Sequence, residues 1–145
     1  MKKTILILSL AFATLFSFGQ TAQEKAKFKN MMIQGAKELN QQMPIYVDEY
    51  TTMTSVIFHN WVWTYTYNIS FEKELFTDAE RKQIINEIKL NTNKQQKRNI
   101  DLGLYKCTRA ELRWFMKSTG LKFRFVYIDP NGSLFGLFTF TYLNY

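Results

Sequence analysis

Two pairs of segments in which large side chains alternate with polar ones constrain the fold of this chain most strongly. In residues 61–71, an aromatic or aliphatic residue stands at every second position, with threonine, asparagine or serine at most positions between them. A period of two places these residues on one face of a β-strand. The run from Thr51 to Phe58 is rich in β-branched residues, and His59-Asn60 separates the two runs. We therefore predict a β-hairpin with its turn at His59-Asn60. Its predicted apolar face consists of Trp61, Trp63, Tyr65, Tyr67, Ile69 and Phe71.

The C-terminal part of the chain repeats this arrangement. Apolar residues from Leu121 to Tyr127 alternate with Lys122 and Arg124, and a second strand is expected from Leu134 to Tyr142. Between them, residues 129–132 read Asp-Pro-Asn-Gly, which is typical turn chemistry. This segment predicts a second hairpin.

Three helices are expected outside the hairpins. Apolar residues spaced three and four apart predict an amphipathic helix from Ala22 to about Met43, which Pro44 ends. Capping-box patterns at residues 77–80 and 108–111 start a second and a third helix, and Gly120 is suited to close the third. The end of the second helix is left open, because residues 91–99 are wholly polar.

The order of these elements defines a fold class. One helix, two strands, two helices and two strands, with tight turns inside each strand pair, predict an α+β domain. We expect a four-stranded antiparallel sheet, made of the two hairpins, with about three helices packed on one face. The aromatic rows are then buried, and the threonine and lysine rows face solvent.

The N-terminus indicates export. Two lysines precede an uncharged apolar run from Ile5 to Phe18, and small residues stand at Ser17 and Gly19. This pattern is typical of a signal peptide of residues 1–19, which leaves a single domain of residues 20–145. No cysteine follows the expected cleavage site, so we expect no lipid attachment there and no transmembrane segment after cleavage. The expected location is the periplasm or the exterior of a bacterium.

The positive charge is concentrated in the second half of the chain. The formal net charge is +7, and residues 81–124 contain twelve lysine and arginine residues but three acidic ones. Lys97, Arg98, Arg109 and Arg113 are therefore candidate binding residues for an envelope component or an acidic protein. Because the chain is expected to be exported, nucleic acid is not an expected partner, and the oligomeric state is left open.

The candidates for chemistry are few. Cys107 is the one cysteine and His59 the one histidine, which is far from the ligand set that a zinc site needs. The start of a helix, with Lys106 and Arg109 nearby, could lower the pKa of the Cys107 thiol and make it a reactive thiol. No catalytic residue, metal or cofactor is assigned. An enzyme is the less favoured alternative.

Several short motifs resemble those of a group of small exported bacterial proteins of unknown function. The pattern is L-N-x-x-M-P-x-x-V-D-x-x-T from Leu39 to Thr51, which includes P-x-x-V-D-x-x-T from Pro44, then T-Y-x-Y from Thr64, C-T at Cys107, and D-x-N-G from Asp129. The resemblance covers most of the mature chain. It implies an exported domain and supplies no reaction, cofactor or catalytic residue.

These observations favour a non-enzymatic binding or envelope-associated module. Two alternatives remain. One is a small thiol-dependent enzyme or factor that uses Cys107, with His59 as a partner. The other is an inhibitor or immunity-type protein, which an exposed aromatic patch near Phe58 to Trp61 would favour.

Overall fold

The computed structural model of the protein describes residues 21–104 and 107–145, so the predicted signal peptide lies outside the described residues. Its three helices are α1 (Ala22–Asn40), α2 (Asp78–Asp101) and α3 (Arg109–Thr119). The strands are β1 (Ile45–Tyr46), β2 (Thr51–His59), β3 (Val62–Ile69), β4 (Lys122–Ile128) and β5 (Leu134–Phe140). Short 3₁₀ helices cover Lys73–Leu75 and Tyr142–Asn144. The α+β class and the three helices are therefore confirmed.

Each of the three helices begins with a capping box. Thr21, Thr77 and Thr108 each accept a hydrogen bond from the backbone N–H of a glutamate three residues later, and that glutamate accepts one in return. Gly120 ends α3 with a φ of 76°, a conformation that glycine adopts without steric cost. The second helix, whose end the sequence left open, continues through its polar segment to Asp101.

The sheet has five strands in the order β1-β2-β3-β4-β5, and it is mixed. β2–β3 and β4–β5 are the two predicted hairpins, but β3 and β4 pair in parallel, with Val62 opposite Lys122 and Asn68 opposite Ile128. The expectation of four antiparallel strands was wrong in two respects. The long connection through α2 and α3 returns the chain to the end where β3 starts, which makes β4 parallel to β3. The additional strand, β1, is two residues long, too short to give a period.

The first turn lies one residue later than the sequence suggested. His59 pairs with Val62, so Asn60 and Trp61 form the two-residue turn, with φ of 48° and 60°. Positive φ at both central residues is the mark of a type I′ turn, which matches the twist of the strands. Trp61 therefore belongs to the turn and not to the strand face.

The helices pack on the aromatic face of the sheet. Trp63, Tyr65, Phe125 and Phe138 are buried there, and the Tyr65–Phe125 and Phe125–Phe138 ring centroids lie 5.0 and 4.8 Å apart. Such offset pairs add to the free energy gained by burying their area. On the opposite face Lys122 and Arg124 are exposed, as predicted.

Candidate binding surface

The topology separates charges of opposite sign to the two ends of the sheet. The β2–β3 turn, the start of β4, the C-terminal part of α2 and all of α3 lie at one end, together with the N-terminal half of α1. We call this the basic end. Its cations are Lys25, Lys27, Lys29, Lys94, Lys97, Arg98, Arg109, Arg113, Lys117, Lys122 and Arg124, against the acids Glu24, Asp101 and Glu111.

The opposite end of the sheet is acidic. It contains the β1–β2 loop, the first 3₁₀ helix, the start of α2 and the β4–β5 turn. The acidic end comprises Asp48, Glu49, Glu72, Glu74, Asp78, Glu80 and Asp129, against the cations Lys73, Arg81 and Lys82. A protein with this distribution has a strong dipole along the strands.

Three contacts fix the corner between α2, α3 and the C-terminal residues of the basic end. Arg109 forms an ion pair with Asp101, with its Nε 2.8 Å from Oδ1. Arg113 donates to the backbone oxygen of Tyr145, with a Nε–O distance of 2.7 Å. The Tyr145 hydroxyl donates to the side chain of Gln96. Two of the four predicted binding residues, Arg109 and Arg113, therefore have internal partners.

The other two predicted residues are arranged differently. Lys97 is half-buried and Arg98 is exposed on the last turns of α2. Neither has an ion-pair partner among residues 21–104 and 107–145. The structure thus brings all four residues to the same pair of helices, with Lys97 and Arg98 available to an external anion.

Most carboxylates of the chain already accept hydrogen bonds within the protein. Nine of the twelve have such a partner, namely Glu24, Glu38, Asp48, Asp78, Glu80, Glu87, Asp101, Glu111 and Asp129. Five of these nine carboxylates accept from backbone N–H groups. Among the cations, Arg81 pairs with Asp78 and Arg109 pairs with Asp101, whereas Lys97 and Arg98 have no ion-pair partner within the described ranges.

Cys107 does not have the environment of an activated thiol. Burial, and next the charge of Glu111, raise the pKa of Cys107 to about 11. The sequence suggested a lower pKa, but a desolvated thiolate is too unfavourable for the neighbouring cations to offset. Cys107 is buried just before α3, whereas His59 is exposed at the end of β2. The burial and raised pKa of the thiol do not favour a catalytic pair of these two side chains.

The motif residues of the resemblance have structural roles. Asn40 pairs with the backbone of Val56 through two hydrogen bonds of 2.7 and 2.8 Å, which close the edge of β2 where β1 ends. Asp48 accepts from the N–H of Tyr50 and shapes the β1–β2 loop. The sequence offered no signal for the pairing of Asn40, because its partner is a backbone group sixteen residues away.

Asp129 organises the acidic end. Its side chain is buried and accepts from the backbone N–H groups of Asn131 at 3.0 Å, Ser133 at 2.7 Å and Lys73 at 3.3 Å. Burial alone would raise the pKa of Asp129, but these hydrogen bonds and the charge of Lys73 outweigh it and lower the pKa. One carboxylate thus joins the β4–β5 turn to the first 3₁₀ helix.

Trp61 is held in its unfavourable backbone conformation by side-chain contacts. Its ring stacks on Phe28 at 5.6 Å, and the Lys29 ammonium lies 5.2 Å from the ring centroid. Its backbone oxygen accepts from Lys122 at 2.8 Å. These contacts join α1, the turn and β4 at the basic end. The patch near Phe58 to Trp61 is therefore packed against α1 rather than free.

Two kinds of feature are absent from the described residues, namely a metal-binding cluster and a membrane-spanning helix. Within residues 21–104 and 107–145, histidine, cysteine and acidic side chains do not gather in groups of three or more that could hold a metal ion. None of the helices in these ranges combines the length and apolar character required to cross a membrane.

Comparison with known proteins identifies a family and solved structures of similar fold. A family model described as a domain of unknown function (DUF8479) matches residues 27–131, and no curated protein matches the chain. A "putative secreted protein" from Pseudomonas aeruginosa has a similar fold, with a TM-score of 0.53 and 9% identity over 87% of this chain and 98% of its own. The pilotin EpsS of the Vibrio vulnificus type 2 secretion system gives a TM-score of 0.54 and 13% identity over 86% and 96% of the two chains.

Proposed function

The chain belongs to the family defined by this domain of unknown function, DUF8479, and we propose that it is an exported, non-enzymatic binding module of the bacterial envelope. In this proposal the basic end is the binding surface, and Lys97 and Arg98 contact the partner directly. Arg109 and Arg113 hold the surface in shape through Asp101 and Tyr145. The similar folds of a protein described as secreted and of a secretion-system pilotin support an envelope role.

One observation carries the proposal: most carboxylates accept hydrogen bonds within the protein, while Lys97 and Arg98 at the basic end have no ion-pair partner among residues 21–104 and 107–145. A surface of one sign attracts a partner of the opposite sign and orients it before contact. A purely structural set of charges would instead be paired or scattered. The burial and raised pKa of Cys107 disfavour the thiol-dependent enzyme.

Fractionation of cells that express the full chain tests this function. We expect the protein to leave the cytoplasm, to lose residues 1–19, to sediment with envelope material and to dissociate from it when the salt concentration is raised. The variant Lys97→Glu/Arg98→Glu should appear mainly in the soluble exported fraction. Mass spectrometry of the purified protein identifies the N-terminus.

A matched control separates the surface from net charge. Lys37→Glu/Lys82→Glu changes the net charge equally, at exposed positions outside the basic end. It should fractionate as the parent does. Envelope association that survives the reversal of Lys97 and Arg98, or that the control loses equally, would contradict the proposal.

A further inference from the structure

The basic end also carries exposed apolar side chains, which cations alone do not explain. Trp114 on α3 is 55% exposed, Leu143 on the last 3₁₀ helix is 76% exposed, and Leu102 after α2 is 64% exposed. The opposite side of α3 is occupied by the core residues Leu112, Phe115 and Met116. Trp114 therefore projects away from the sheet and makes no contribution to the core.

Trp114 and Leu143 belong to one rigid surface. Arg113, next to Trp114, donates to the backbone oxygen of Tyr145, and the Lys117 ammonium lies 5.9 Å from the ring centroid of Tyr142. These two contacts fix α3 to the 3₁₀ helix that carries Leu143. The two exposed apolar groups are thus carried by two elements in direct contact, and Arg113 and Lys117 of α3 lie at that contact.

This combination of groups fits a lipid surface better than a protein partner. Protein interfaces concentrate their binding energy in apolar anchors that fill pockets, surrounded by a rim. At the basic end, the exposed apolar side chains are single residues on separate elements, Trp114 on α3 and Leu143 on the last 3₁₀ helix, and Arg113 and Lys117 are near Trp114 in the sequence of α3. A bilayer accepts such isolated groups, because tryptophan and leucine enter the headgroup region while lysine and arginine remain at the anionic surface.

We infer that the basic end docks on an anionic phospholipid bilayer, with Trp114 and Leu143 entering the interface and with Lys97, Arg98 and Lys117 facing the headgroups. This inference rests on the proposed function and specifies its partner. The acidic end then points away from the membrane, because an anionic surface repels it. The dipole along the strands sets this orientation before contact.

Co-sedimentation with vesicles tests the inference, with the protein purified from the exporting cells. We expect binding to vesicles of equal parts phosphatidylglycerol and phosphatidylcholine, and little binding to phosphatidylcholine alone. Lys97→Gln/Arg98→Gln should weaken the binding about 30-fold, because each cation near the surface contributes about fivefold. Lys37→Gln/Lys82→Gln should change it by less than about twofold. All variants share one N-terminus, so any contribution of the leader cancels.

Tryptophan fluorescence tests the orientation. Trp61 and Trp63 are packed against α1 or buried, so a blue shift on vesicle addition, or quenching by brominated lipid, should come from Trp114 and disappear in Trp114→Phe. Leu143→Ser should weaken the binding about tenfold without altering the melting temperature. A shift that persists in Trp114→Phe would overturn the orientation.

The outcomes separate this inference from the proposed function. If anionic vesicles are not bound while envelope association still depends on Lys97 and Arg98, the lipid inference is wrong and an acidic protein is the partner. If envelope association does not depend on these residues, the proposed function itself is wrong. Equal binding to both vesicle types would also overturn the inference.

Discussion

At the acidic end, the Asp129 carboxylate accepts hydrogen bonds from the backbone N–H groups of three residues in two separate segments. At the basic end, by contrast, Arg98 is exposed and has no ion-pair partner in the described part of the chain. The difference extends beyond these two residues. The capping carboxylates of Glu80 and Glu111 have pKa values below the usual range, because Thr77 and Thr108 donate hydrogen bonds to them. These carboxylates therefore stabilise the fold by accepting backbone hydrogen bonds. Lys97 and Arg98, in contrast, remain available for recognition of a partner.

Replacing Asp129 should have the largest effect on stability among the changes considered. Asp129→Asn places an amide N–H₂ opposite backbone donors and should lower the melting temperature by several degrees. The lowered pKa of Asp129 in the folded protein means that its contribution is full above the ordinary carboxyl pKa of about 3.9 and is lost as the pH falls through the folded value. Thermal melts between neutral pH and pH 3 should therefore show a weaker acid dependence in the variant. As a control, Glu74→Gln at the same end should change neither property.

Adding a methyl group at Gly136 tests how tightly the helices are fitted to the sheet. A Cβ at this position would lie 2.3 Å from Cγ1 of Ile85 and 2.6 Å from its Cδ1. We expect Gly136→Ala to lower the free energy of unfolding by about 1–3 kcal/mol in urea denaturation. The same change should cost less in the Ile85→Ala background, and equal costs in the two backgrounds would show that Ile85 is not the obstacle.

Two arginines of the basic end should differ in their effect on stability. Arg113→Ala removes the donor to the Tyr145 backbone oxygen and should cost about 1 kcal/mol. Arg98→Ala should lower the free energy of unfolding by less than about 0.5 kcal/mol, since this exposed side chain makes no ion pair with the described residues. If Arg98→Ala lowered the free energy of unfolding more than Arg113→Ala does, the distinction between internally bonded and unpaired arginines of the basic end would be wrong.

Cys107 should have the smallest effect. Because its pKa is raised to about 11, native-state alkylation by iodoacetamide should be slow at pH 8 and rise about tenfold for each pH unit up to pH 10. Cys107→Ala should leave the melting temperature nearly unchanged, as it removes one small buried atom. A native rate at pH 8 equal to that of the urea-unfolded chain would show that the thiol is accessible and reactive.

The sequence predicted the local elements better than their assembly. Capping boxes at Thr77 and Thr108 and the alternation around Trp63 are local signals, and the structure confirms them. The parallel pairing of β3 with β4 depends on where a long connection returns, which no local period encodes. The basic character of the second half was likewise visible. The position of Lys29 of α1 beside these cations was not visible, since it depends on the ring contacts of Phe28 with Trp61 and Phe115.

The candidate site was predictable only as a list of cations. Lys97, Arg98, Arg109 and Arg113 were identified from charge density, but charge density does not distinguish a paired arginine from an unpaired one. The sequence places Trp114 beside these cations but does not predict that Trp114 and Leu143 are exposed, because an apolar residue on an amphipathic helix or near a strand end is normally expected to be buried. Their exposure becomes visible only when the other side of α3 is shown to fill the core.

The parallel pairing of β3 with β4, in which Val62 lies opposite Lys122, has a consequence for biosynthesis. The ribosome synthesises the β2–β3 hairpin long before β4. Until β4 is made, one edge of β3 in the nascent chain is unpaired and the aromatic side chains of the hairpin are exposed. Such an edge invites pairing with other chains. Cells that overproduce this protein should therefore accumulate aggregates when elongation is slowed between residues 70 and 121, and holdase chaperones should relieve that loss.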